Sequence, residues 1–335
     1  MPAFTDLADL AAARVGGRAL AANDEFFAAK ESLLRPGRGV FVPDKYTARG
    51  KWMDGWETRR RRTPGHDWCV VALGMPGVIR GVDVDTNHFV GNHPERCSID
   101  ACYRPGRATP TSLRGPKAGW EEILPESRLQ GGSQNLFPVA SERAWTHVRL
   151  NIHPDGGVAR LRVHGEVAVD AAVLARSRRL VDLASIRSGG LVLGASDMHF
   201  GSKDNLIMPG RARNMGDGWE TRRRRGPGHD WLVLRLGAPG VVERVEIDTN
   251  HFKGNYPESA SLEGCRTGET SLEALAGDGR GWRELLPRTK LRPHHRHLFT
   301  RGLRARGPFT HVRLRIYPDG GVSRLRIHGR VVAPE

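Results

Sequence analysis

One stretch of this sequence occurs twice, and that repetition limits the available folds more than any other feature. Residues 54–62 read DGWETRRRR, and residues 217–225 repeat them letter for letter. Both copies continue into Gly-His-Asp-Trp (65–68 and 228–231), then into Asp-Thr-Asn-His-Phe-x-Gly-Asn-x-Pro-Glu (85–95 and 248–258). Equivalent residues keep a constant separation from Trp56/Trp219 through His88/His251 to Glu95/Glu258. A long internal match without gaps marks a tandem duplication. The fold must therefore close on itself within about half of the 335 residues, an ordinary domain size.

Between the shared motifs the chain reads as short strands. Residues 68–73 (WCVVAL) and 231–236 (WLVLRL) are apolar runs followed by Gly-Met-Pro-Gly (74–77) and Gly-Ala-Pro-Gly (237–240), which are turn chemistry. Residues 78–86 and 241–249 then alternate with period two: Val82, Val84 and Thr86 on one face, Asp83 and Asp85 on the other. The pattern predicts two strands joined by a turn, with Asp85 turned from the apolar face at the second strand's end. Residues 120–125 (WEEILP) match 282–287 (WRELLP), and residues 147–152 and their partners 311–316 alternate as strands before a Pro-Asp-Gly-Gly turn. The first copy carries ten extra residues between Gly37 and Asp54 (197 − 24 exceeds 217 − 54 by ten), so residues 39–51 read as a loop beside the motif. Many short strands with Gly/Pro turns predict an all-β sandwich or barrel. The division is a first repeat over 1–165, a linker over 166–187 that fits a short helix only weakly, and a second repeat over 188–335.

Composition removes several classes. No apolar run reaches the ~20 residues of a membrane span, and no basic segment precedes an apolar core as in a secretory signal. The four cysteines have no CxxC spacing and no disulfide pattern, so they read as buried thiols of a cytoplasmic protein. A net charge of +15 invites a nucleic-acid reading. The arginines are spread through both copies, and 10 Phe and 4 Tyr offer little aromatic interleaving. A positive field equally suits a small anionic substrate.

The polar residues repeated at the strand ends are the candidate site. They are Glu57, Arg59, Arg60, His66, Asp67, Asp85, Asn87, His88, Asn92 and Glu95, with Glu220, Arg222, Arg223, His229, Asp230, Asp248, Asn250, His251, Asn255 and Glu258 in the second copy. The strands around them vary (Cys69-Val-Val-Ala against Leu232-Val-Leu-Arg), which points to constraint on the loops. Each residue has a plainer reading: the arginines as a solvated edge, the carboxylates as their ion-pair partners, the His-Asp and Asn-His pairs as networks that hold loop shape. Trp56 and Trp219 read as packing residues, and His147, His164, His311 and His328 as structural members of strands. The unrepeated His294-His295-Arg296-His297 is a surface loop or a metal-binding run.

The run GKWMDGWETRRRR…GHDW…DVDTNHFVGNHPE closely resembles the allantoicase family, over nearly the whole chain. The resemblance implies two tandem jelly-roll β-sandwich domains of the galactose-binding (discoidin-like) kind, and hydrolysis of allantoate to ureidoglycolate and urea. It also implies a homo-oligomer; the spread of the arginines and the lack of a long apolar run argue against nucleic acid and membrane as partners. Allantoate is a carbon bearing a carboxylate, a hydrogen and two ureido groups. Releasing urea requires a cation for the carboxylate, amide-type groups for the ureido arms, and an acid and a base at the C–N bond. Arg59 or Arg60 suits the carboxylate, Asn87 and Asn92 the ureido groups, and Glu57, His66, Asp85, His88 or Glu95 proton transfer. The preferred acid/base residues are His88 and Glu57, with Asp67 or Asp85 orienting the histidine. No cofactor is certain; a divalent metal is compatible with His66, Asp67, Asp85 and His88 as ligand types, although their spacing matches no metal motif. The alternative from another class is a tandem lectin-like carbohydrate-binding module without catalysis.

Overall fold

The computed structural model describes residues 3–106, 108–177, 179–277, 279 and 281–332. The ends of the expected repeats at Met1 and Glu335, and Arg178 of the expected linker, lie outside the described residues. The chain forms two compact units, one over Ala3–Ala168 and the other beginning at Val169.

Each unit is an antiparallel β-sandwich built around one strand of 19 residues: Asp67–Asp85 in the first and Asp230–Asp248 in the second. Around Asp67–Asp85 the order runs Ala8–Asp9, Arg160–Val167, the long strand, Ala144–His153, Arg96–Cys102, Glu121–Arg128. Arg18–Ala22 and Gln134–Pro138 also pair with the long strand. The second unit repeats this order with Val181–Asp182, Arg324–Val331, the long strand, Phe309–Tyr317, Ser259–Cys265 and Arg283–Lys290.

The long strand corrects one expectation. Residues 68–73 and 78–86 are not two strands joined by a turn; Gly74–Gly77 is extended and continues the same strand. The ladder breaks locally, because Trp145 pairs with Gly77 and His147 with Ala72, leaving residues 73–76 opposite Thr146 alone. Such a break in register lets a strand leave one layer of a sandwich and enter the other. The glycines are there for closeness: a Cβ on Gly74 would stand 2.6 Å from the Val15 carbonyl oxygen, and one on Gly77 2.6 Å from that of Glu166. Pro76, which has no N–H to give to a ladder, accepts at its carbonyl from Ala168 N at 2.9 Å.

The core lies between the layers. Val71, Ile79, Val82, Val84, Ile99, Val148, Leu150, Ile152, Leu161 and Val163 are fully buried there. Asp83 and Asp85 are buried too; the opposite face of their strand segment is covered, and their partners Gln134 and Arg38 do the covering. A smaller cluster sits elsewhere in each unit. In the first, Val70, Cys102 and Leu113 pack with Trp68 and Trp120, with Leu113 supplied by the helix Pro110–Arg114 under a Thr109/Ser112 capping box. Val233, Cys265 and Leu275 make the same cluster in the second unit. That placement accounts for the equivalent cysteines 102 and 265: burial pushes both thiols up to about 11. All four cysteines are free and buried. Within the second unit, near its start, Ala171–Ser177 is helical. Glu166 and Val167 complete the first unit's closing strand, and Val181–Asp182 opens the second unit's sheet. Among the described residues no helix is long and apolar enough to cross a membrane.

Candidate active site

The repeated loops meet where the long strand ends at Asp85. Trp56 and Glu57 form a two-residue strand against Gly157–Val158. Strand alternation sends Trp56 inward, where it is fully buried and its Nε1 donates to the Asp24 carbonyl at 2.9 Å, and turns Glu57 the other way. The loop after Asp85 is pinned by Phe89, whose buried ring lies between Gly55 and Gly157. A Cβ on Gly157 would stand 2.0 Å from that ring, and one on Gly55 2.6 Å. Gly157 N also donates to the Asn92 carbonyl at 2.7 Å. These contacts hold Glu57 and Asn92 side by side, and Asn92 Nδ2 donates to Glu57 Oε1 at 2.7 Å.

His88 sits between Asn87, which is anchored, and Phe89, which is buried. Asp85 Oδ1 accepts from Asn87 N at 2.9 Å, and Asn87 Nδ2 donates to the Gly39 carbonyl at 2.8 Å. The chain is thereby driven to φ 67° at His88, the left-handed region, and its equivalent His251 lies at φ 72°. That conformation costs a non-glycine residue about 1 kcal/mol or more. The His88 side chain is exposed beside the Phe41 ring, 5.6 Å between centroids.

Glu57, His88 and Asn92 line one pocket of about 340 Å³ with Phe27, Phe41, Lys51, Met53, Val90 and Gly91. Burial pushes the Glu57 carboxyl above the ordinary carboxylate range, and the Asn92 amide pulls it back only in part. A carboxyl so placed keeps its proton closer to neutral pH and can act as an acid.

The other candidates stand elsewhere or hold the frame. Arg59 is taken up by Asp24, Nε to Oδ2 at 2.9 Å. Arg60 is exposed and outside the pocket lining. Asp67 is buried and receives Arg61 NH1 at 2.8 Å and Asn23 Nδ2 at 2.7 Å. The His66 ring packs 4.8 Å from that of His153, and Glu95 is exposed. Asp85 is gripped in two-pronged fashion by Arg38, Nε–Oδ2 and NH2–Oδ1 both at 3.0 Å. Neither Asp67 nor Asp85 is bonded to the His88 ring. Among the described residues no group of three or more His, Cys, Asp or Glu is placed to hold a metal ion.

The second unit repeats the frame with different surroundings. Asn255 Nδ2 donates to Glu220, Arg222 pairs with Asp197 at 3.3 Å, and Arg223 is exposed. Asp230 pairs with Arg224, and the His229 ring packs 5.1 Å from Tyr317. Arg211 lies 3.6 Å from Asp248, Asn250 Nδ2 donates to the Ala212 carbonyl at 3.3 Å, and Glu258 pairs with Arg288 at 3.2 Å. The His251 ring is turned back, with Nε2 donating to that Ala212 carbonyl at 2.9 Å, and its backbone N–H donates to His294 Nδ1 at 2.8 Å.

Three residues at or beside the pocket stand outside the motif reading. Arg38 had a signal, since Pro-Gly-Arg recurs at 209–211. Phe41 had none, because it belongs to the segment that the second copy lacks, and Lys51 was passed over because its counterpart, Asn214, is a different residue.

The arrangement can be set beside known proteins. The family model described as the allantoicase repeat matches residues 8–168 and again 181–332. This chain belongs to the allantoicase family. It is 50% identical to "Probable allantoicase 1" of Burkholderia mallei (strain ATCC 23344), over 98% of this chain and 96% of that protein. It is 49% identical to "Probable allantoicase" of Pseudomonas aeruginosa (strain UCBPP-PA14), over 99% and 98%. The crystal structure of allantoicase from Saccharomyces cerevisiae superposes with a TM-score of 0.81 at 34% identity, covering 96% of this chain and 92% of that one. The two-domain β-sandwich is thus the allantoicase fold, and each family repeat carries one copy of the Glu57/Asn92 frame.

Proposed function

We propose that this chain hydrolyses allantoate to ureidoglycolate and urea, and that the first unit's pocket is where it does so. The observation that carries the assignment is Glu57: a half-buried carboxyl, raised in pKa, in hydrogen-bond contact with a carboxamide and facing a pocket of small-molecule size. Glu57 gives its proton to the nitrogen of the departing ureido group as the bond to the central carbon breaks. His88, exposed on the same pocket, takes a proton from the water that adds to that carbon. The sum is allantoate plus water to ureidoglycolate plus urea. Asn92 holds Glu57 and presents its amide oxygen toward ureido N–H groups. Arg38, Asp85 and Asn87 position the loop that carries His88, and act without touching the reacting atoms.

Urea release from allantoate by the purified protein tests the reaction. Glu57→Gln is isosteric and cannot supply the proton, so turnover should fall by about 10²–10⁴-fold with little change in KM. Undiminished turnover in this variant would remove Glu57 from the chemistry. Chelator treatment should leave urea release in place, because the His and Asp donors of the motif are not gathered into one ligand set. Loss of activity restored by added metal would return those residues to a metal-centred reading. Buried, unbridged thiols suit a reducing cytoplasm. The family resemblance supports a homo-oligomer, which light scattering of the purified protein would reveal as a mass above that of one chain.

A further inference from the structure

An anion bound in this pocket needs a cation, and the motif's arginines are engaged or turned elsewhere. Lys51 is different. It lines the pocket with Glu57 and His88, and among the described residues no carboxylate lies within ion-pair distance of its ammonium. Its Nζ stands 4.5 Å from the centre of the Phe41 ring. A cation–π contact steadies an ammonium without neutralising it, so the charge remains available to a ligand.

The hairpin that delivers Lys51 is built to hold it. Tyr46–Thr47 pairs with Gly50–Lys51, and Trp52 N donates to the Lys45 carbonyl at 2.9 Å. Lys45 lies 3.8 Å over the Trp52 ring. At the hairpin's base, Val40 N donates to Asp54 Oδ2 at 3.1 Å, and Asp54 is fixed by the buried Arg160 at 2.6 Å. Asn87, one residue from His88, ties the Gly39 carbonyl to the catalytic loop. The segment is therefore fastened to the two elements that carry Glu57 and His88.

The second unit keeps the base of this arrangement, with Asp217 paired to Arg324 and Asn250 bonded to the Ala212 carbonyl, but not the pocket residues that the hairpin brings. Asn214 stands where Lys51 does, Gly216 replaces Met53, Lys253 replaces Val90, and Phe41 falls in the segment with no counterpart. The hairpin's lysine and three apolar wall residues are missing together, while the Glu220/Asn255 frame is kept.

We infer that Lys51 binds the substrate's carboxylate, and that the hairpin over residues 39–51 confines catalysis to the first unit. The inference rests on the allantoate reading of the pocket. Its test measures urea release, with kcat and KM separated, for wild type, Lys51→Met, Lys51→Arg and Glu57→Gln, using allantoate and its neutral carboxamide analogue. Lys51→Met should lower kcat/KM for allantoate by about 10- to 100-fold, mainly through KM, the range for losing a charged hydrogen bond. The carboxamide should react equally with wild type and Lys51→Met, and Lys51→Arg should restore most of the allantoate rate. Glu57→Gln should leave no fraction of turnover attributable to the second unit. An unchanged KM in Lys51→Met, or an equal loss on both substrates, overturns the carboxylate role; the second pattern would mark Lys51 as a prop for the hairpin. About half of wild-type turnover surviving in Glu57→Gln overturns confinement to the first unit. Wild type releasing no urea would instead sink the allantoate reading itself, whatever the variants do.

Discussion

His88 holds a backbone conformation that a histidine adopts at a cost, and it does so because its neighbours on either side are fixed by other contacts. His88→Gly would relieve the left-handed strain and delete the imidazole at once. Thermal or denaturant unfolding should find the variant as stable as wild type, or up to about 1 kcal/mol more stable. Urea release should fall sharply. A variant that loses stability and activity together would recast His88 as a structural residue. Glu57 makes a second prediction at this scale. Its carboxyl is raised by burial, and the reaction uses the protonated form. Activity should therefore fall as pH rises through that raised pKa, and the alkaline limb should be absent from the residual activity of Glu57→Gln. A pH–kcat profile that keeps the same alkaline limb in both proteins would assign it to another group.

Among elements, the clamp of Phe89 between Gly55 and Gly157 decides whether Glu57 and Asn92 stay together. Gly157→Ala would drive a methyl into the ring. Overpacking of this kind costs about 1–3 kcal/mol, and here it should also lower turnover by displacing the Asn92 loop. Unfolding midpoints and urea release measured on the same sample check both halves of the expectation. The elements also divide by how far they could be read from sequence. The strand read over residues 147–152 lies within Ala144–His153, whose own apolar residues mark it. Gly74–Gly77 carries turn chemistry in its own four residues, yet is extended, since closeness to Val15, Leu10 and Glu166 determines its path. Contacts so distant in sequence leave no local trace. The same limit applies to the candidate site. Repetition marked Glu57 and Asp67 alike, and only the fold separates a residue facing the pocket from one bonded to Arg61. Lys51 and Phe41 were invisible to that comparison, the first because its counterpart Asn214 differs and the second because it has no second copy.

For the molecule as a whole, stability should depend on pH through two equivalent buried histidines. His147 and His311 each lie beside the hydroxyl of the preceding threonine. Burial holds both below the usual imidazole range, His311 at about 4 with help from Arg235. The unfolded chain takes up protons near pH 6.5, well before the folded one does. This stabilisation is therefore complete above pH 6.5 and is lost as pH falls from 6.5 toward 4, by about 3 kcal/mol at most for His311. Denaturant titrations across that range should show the decline, and His311→Gln should flatten it. Ala8 pairs with Gly165 in the first unit, and Val181 with Gly329 in the second, so each sandwich is sealed by strands from its own two extremities. During synthesis the opening strand of the first unit must wait for more than 150 residues before its partner leaves the ribosome. The same adjacency lets a whole unit be spliced into a chain with only a short connector, and it makes new termini cut elsewhere in a unit, with the old ones joined, a rearrangement that this architecture should accept.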